Sequence, residues 1–174
     1  MRKLFFLLML FFSAAAVQAQ SKIENLKVVW PEEYKWKVGS SQENEASHFM
    51  ELIPEKESLD NWTIIGTMLS LKNVSNIPMD KAMNLFYSKT KNTAPGAKLT
   101  LIEKKDGIKN SWILFKVEVE KYLNNSKPES QVYYIVQGDA TLYVNIVGVK
   151  EKTISKSFEE KWSKIFKSSQ LVLE

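Results

Sequence analysis

Residues 62–71 read Trp62-Thr63-Ile64-Ile65-Gly66-Thr67-Met68-Leu69-Ser70-Leu71, and the residues after Pro78 change rhythm. The first run is apolar on both alternating faces, rich in β-branched and aromatic side chains and too short for a helix of ordinary length, so it predicts a strand placed centrally in a sheet. From Pro78 the apolar residues Met79, Ala82, Met83 and Phe86, with Thr90, recur at three- and four-residue spacing until Pro95-Gly96 stops them. Proline suits the first turn of a helix and forbids its continuation, so a helix is predicted over residues 78–92. A strand followed at once by a helix, between other strands, sets the class as α+β.

Working outward, Tyr34, Trp36 and Val38 alternate with Lys35 and Lys37, which predicts a half-buried strand over residues 30–38. Residues 39–45 read as a polar connection. Residues 46–53 predict a second strand with His48, Met50 and Leu52 on one face and Phe49, Glu51 and Ile53 on the other, closed by Pro54. Beyond the helix, Leu99 and Leu101 lead through an Asp106-Gly107 turn to the alternating run of residues 112–119, a hairpin signal. Residues 131–137 and 140–149 form a second hairpin at Gly138-Asp139. Ile154, Phe158, Trp162, Ile165 and Phe166 then stripe one side of a closing helix. The order β-β-β-α-β-β-β-β-α lacks strict βα alternation. It predicts one mainly antiparallel twisted sheet of about seven strands, with helices flanking its faces.

The head of the chain has a different character. Arg2 and Lys3 precede the apolar block of residues 4–12, small residues follow, and Val17-Gln18-Ala19 fits a cleavage site. Residues 1–19 are therefore read as a secretory signal cut after Ala19, and residues 20–174 as a single α+β domain in the periplasm or outside the cell. Residues 4–17, as a helix, reach roughly 21 Å against about 30 Å of hydrocarbon. No other stretch is long and apolar enough to span, so the processed domain is expected to cross no membrane. There is no cysteine, which removes disulfides, thiol catalysis and thiolate metal sites. Without Arg2 and Lys3, 22 lysines face 20 carboxylates, and Arg2 is the only arginine. A domain with no guanidinium fork and no basic patch is not expected to read nucleic acid.

The element order resembles the α/β/α sandwich of the PsbP-like superfamily, including its exported DcrB-like bacterial members. The stretch Glu51-Leu52-Ile53-Pro54-Glu55-Lys56-Glu57-Ser58-Leu59-Asp60-Asn61-Trp62-Thr63 is similar to the strand, proline, acidic turn and Asn-Trp-Thr strand start of small exported proteins with that fold. The resemblance implies a fold. It implies no activity, and no partner-contacting residue of the family carries over.

Candidate chemistry is sparse. His48 is the only histidine, and Glu51, three residues on, points to the other face of the same strand. Glu55, Glu57 and Asp60 offer oxygen ligands in one loop, but without the glycine and the ligand density of a calcium loop, so a solvated acidic turn is expected. Glycines are scattered and form no phosphate loop. No cofactor, metal or catalytic residue is assigned. Aromatics at Tyr34, Trp36, Trp62, Trp112, Tyr133, Tyr134 and Tyr143 either pack the core or line a sheet face left open by a helix. The expected function is non-enzymatic binding of a partner protein or envelope component, with His48, Glu51, Asn61 and Trp62 as candidate contacts. The alternative is a small-ligand-binding protein or hydrolase with a pocket near His48 and Glu51.

Overall fold

The computed structural model describes residues 23–174, so the secretory signal expected over residues 1–19, with its cut after Ala19, lies outside the described residues. Nine strands and two helices follow in order: β1 Glu24–Lys27, β2 Trp36–Glu43, β3 Ser47–Pro54, β4 Ile64–Lys72, α1 Met79–Thr93, β5 Lys98–Lys105, β6 Trp112–Glu118, β7 Ser130–Gln137, β8 Thr141–Val149, α2 Lys156–Lys167 and β9 Gln170–Leu173. Seven of the strands form one sheet, ordered β2-β3-β4-β8-β7-β6-β5, and β1 pairs with β9 in a separate ribbon. Every pairing is antiparallel. The class is the α+β arrangement expected, with β4 in the sheet interior beside the central β8.

Because side chains alternate along a strand, each face of the sheet collects its own core. On one face α1 buries Met79, Ala82 and Phe86 against Ile113, Phe115, Val117, Tyr133, Ile135 and Val144. On the other, α2 buries Trp162 and Phe166 against Leu114, Val132, Tyr134 and Val147. α2 begins where Ser155 Oγ accepts the Phe158 N–H at 3.3 Å, one of the donors a helix start leaves unpaired. α1 starts after Pro78, whose fixed φ substitutes for a side-chain cap.

The structure departs from the sequence expectation at four places. Tyr34 belongs to a single 3-10 turn, Glu32–Tyr34, and the strand starts only at Trp36, because Lys35 takes a left-handed backbone with φ 47°. Residues 39–43, read as a connection, continue β2 past an irregularity between Val38 and Ser40; as a sheet edge, this stretch is solvated on both sides and shows no apolar alternation. The Asp106-Gly107 turn widens to residues 106–111, with Gly107 at φ 72°. The β1–β9 ribbon was not expected, since four-residue strands separated by most of the chain leave no local signal.

Aromatic side chains concentrate beneath α2. Trp30, Tyr34, Trp36 and Trp162 pack ring on ring, with Trp30 and Trp36 edge to face at 5.3 Å and Trp30 and Trp162 at 5.5 Å. Trp112 packs on Tyr134, and Tyr134 stacks on Phe166. Tyr133 lies on the α1 side, stacked on Phe115 at 4.7 Å. The aromatics thus serve two cores and do not line one open face. Among the described residues no helix is long and apolar enough to cross a membrane.

Candidate functional site

α1 packs chiefly against β6 and β7, and Leu69 and Leu71 of β4 join the edge of the same cluster. Following the register across that face, Glu51 on β3 lies beside Thr67 on β4, Ile146 on β8 and Tyr133 on β7. In the adjacent row Gly148 separates Ile65 from Gln131. Gly148 has no side chain, and a β-carbon there would meet Ile65 Cγ2 at 3.2 Å and Gln131 Cγ at 3.4 Å. The missing side chain lets Ile65 and Gln131 close over the backbone at this point.

Glu129, Gln131 and Tyr133 occupy alternate positions leading into and along β7, so they project to the same side. The Tyr133 hydroxyl donates to Gln131 Oε1, and Gln131 Nε2 donates to Glu129 Oε1 at 2.7 Å. The order of donors fixes the polarity of the row. One carboxylate oxygen and one amide proton are left to face a ligand, while the Tyr133 hydroxyl is buried with Thr90 beside it. A groove of about 670 Å³ opens here, walled by Lys89, Thr90 and Thr93 of α1 and by residues 122–125.

The electrostatics of the face follow from its shape. Burial raises the Glu129 carboxyl above its ordinary range, the Gln131 bond and the Lys150 charge pull it back, and the Glu51 charge adds to the rise. Burial likewise raises Glu51. The Tyr133 phenol is pushed up to about 12, chiefly by burial, so it stays protonated and remains a donor. Lys150 Nζ sits 4.6 Å over the Trp62 ring, a cation–π contact beside the acidic end of the row.

The four residues singled out in the sequence are therefore divided. Glu51 and Trp62 lie toward the α1 side, where Trp62 packs with Ile53 and Ile65. His48 lies on the opposite face, and its imidazole Nε2 is 3.4 Å from Ser41 Oγ. The strand turns the His48 and Glu51 side chains to opposite sides of the sheet, and the cavity lined by His48 does not include Glu51. Asn61 is exposed in the loop before β4, where its backbone closes a bridge to Ser58.

In the acidic turn the Glu57 carboxylate accepts from the Thr63 N–H and hydroxyl, both at 2.7 Å, and so holds the loop to the head of β4. Among the described residues no three His, Cys, Asp or Glu side chains gather to hold a metal. Sequence reasoning missed Glu129 and Gln131, and singled out Tyr133 only as one of the aromatics for the core or an open face. Their spacing of two, polar residues running into an apolar strand, was the available signal. No protein-family model matches the chain, and no curated protein matches it in sequence.

Proposed function

We propose that the protein is an exported, non-enzymatic binding protein whose groove between the end of α1 and β7 takes a hydroxyl-rich envelope component, a glycan segment in preference to a protein surface. The observation that carries this reading is the hydrogen-bonded row Tyr133–Gln131–Glu129 in the groove. A free carboxylate oxygen accepts from one hydroxyl while the neighbouring amide proton donates to the next, which is the pattern a vicinal diol presents. The groove volume falls in the range of ligand sites. Its walls carry hydroxyl and amide groups, among them Thr90, Thr93, Asn92 and Asn124, beside the Tyr122 ring and the exposed Leu123, a mixed lining that suits the polar rim and apolar face of a sugar. Export is supported by the composition of residues 1–19. A PsbP-like fold is supported by the sheet held between two helices and by the stretch over residues 51–63.

The test is calorimetric titration of the processed protein, recovered from the envelope fraction, with soluble envelope glycan fragments. Saturable binding that weakens in Gln131→Ala and Tyr133→Phe is expected; the second variant keeps the ring on Phe115 and removes only the hydroxyl. Binding that both variants retain in full would overturn the reading, as would no binding by the wild type. Amino-terminal sequencing of the same preparation should begin at Gln20.

One observation favours a second, hydrolytic reading. Glu51 and Glu129 lie on one face, and burial raises both carboxyls, the direction that favours a general acid. Under that reading the wild type cleaves a bound fragment, and Glu51→Gln or Glu129→Gln binds but does not cleave. A fragment recovered intact after prolonged incubation with wild type leaves the binding function alone standing.

A further inference from the structure

On the α2 side of the sheet, β3 and β4 bring together three side chains with soft or borderline-soft donor atoms. His48 and Met50 are two apart on β3, hence on one face, and Met50 is the register partner of Met68 on β4. Directly opposed residues of an antiparallel pair have β-carbons about 5 Å apart, within reach for two thioethers to converge on one point. All three side chains line a small cavity of about 180 Å³. Asn25 and Leu26 of β1 also line it, as do Tyr143 and Asn145 of β8. β1 is held in place because its Glu24 carbonyl accepts from the Tyr143 hydroxyl at 2.5 Å.

Two features set this cavity apart from ordinary methionine packing. Asn145 is only 2% exposed and lines the cavity from the central β8. Second, no carboxylate lines the cavity; beside neutral amide and hydroxyl groups it offers two thioether sulfurs and one imidazole. Calcium and magnesium demand oxygen ligands, whereas thioethers select Cu(I). The Ser41 hydroxyl within reach of His48 Nε2 engages one ring nitrogen and leaves the other for a metal, the usual arrangement around a ligating histidine.

We propose that His48, Met50 and Met68 form a binding site for Cu(I), roofed by β1 and independent of the groove on the other face of the sheet. The neutral donor set balances none of the charge of the ion, so a monovalent soft cation is favoured over a divalent one.

The test is anaerobic titration of the full processed protein with Cu(I) held by a chromogenic chelator, reading the loss of chelator colour. The wild type should withdraw one equivalent of Cu(I), and its melting temperature should rise in the same solution. Met50→Leu and Met68→Leu preserve apolar volume and should keep the metal-free melting temperature close to wild type. Each should weaken Cu(I) binding by more than about tenfold, the equivalent of about 1.4 kcal/mol. His48→Ala should weaken it similarly. A chelator that keeps all its Cu(I) in the presence of wild type would overturn the assignment. Withdrawal unaffected by both methionine variants would do the same, as would Zn(II) producing an equal rise in melting temperature that the methionine variants retain.

Discussion

Trp30 lies against the backbone of Gly66 so closely that a β-carbon at Gly66 would stand 2.4 Å from Trp30 Cζ3. The indole covers the middle of β4 and carries the aromatic nest from the sheet up to Trp162. Gly66→Ala must therefore displace Trp30, an overpacking expected to lower stability by about 1–3 kcal/mol. Gly96→Ala, with no heavy atom within 4 Å of the added carbon, is the control and should be near neutral. Urea unfolding of both variants reads the difference.

Trp162 is completely buried and packs against the rings of Trp30, Tyr34, Phe158 and Phe166. Trp162→Ala is expected to cost about 3–5 kcal/mol, the usual loss for a fully buried large aromatic. Trp162→Phe should cost much less than that, in part because the Trp162 indole N–H has no hydrogen-bond partner to lose. Thermal denaturation of the two variants distinguishes lost volume from a lost hydrogen bond.

Raised carboxyl groups give the protein a definite pH response. The charged form of Glu129 is disfavoured in the folded state, so its contribution is fully present below the ordinary glutamate value of 4.5 and is lost as pH rises through the elevated folded value. Glu51 acts in the same direction. Glu129→Gln should flatten the fall in stability between weakly acid and neutral pH and leave the variant more stable than wild type at pH 7. Unfolding curves from pH 4 to 8 would show it, and a wild-type-like slope in the variant would contradict it.

Tyr143→Phe removes the hydroxyl that holds the Glu24 carbonyl. A loss of about 1 kcal/mol is expected from the hydrogen bond. The effect should be local: amide exchange should quicken in β1 and β9 while the central strands keep their protection. Equal acceleration across the whole sheet would show that the ribbon is not a separable unit.

Much of the body was legible because its patterns are physical necessities. The stripe of Trp162, Ile165 and Phe166 and the alternation of residues 112–119 could each sit in only one kind of element. Helix α1 ended one residue beyond the expected limit, stopped by Pro95. What was hidden depends on distant partners. Residues 39–43 show solvent to both sides because β2 is an edge, and β1 finds β9 only after the intervening sheet has folded. The groove row escaped notice for a related reason: nothing local to Glu129 or Gln131 tells that the end of α1 and residues 122–125 come to stand on either side of them.

Ile23 and Glu174 exchange two backbone hydrogen bonds at 2.8 and 3.0 Å beyond the ends of the β1–β9 ribbon. The described chain is thus already a ring in all but one covalent bond. A short peptide joining these two residues would ask little of the backbone, and new termini opened within exposed residues 123–127 would leave every strand and helix intact. Such a permuted chain should reach the same native arrangement, with the order of synthesis changed and the order in space preserved.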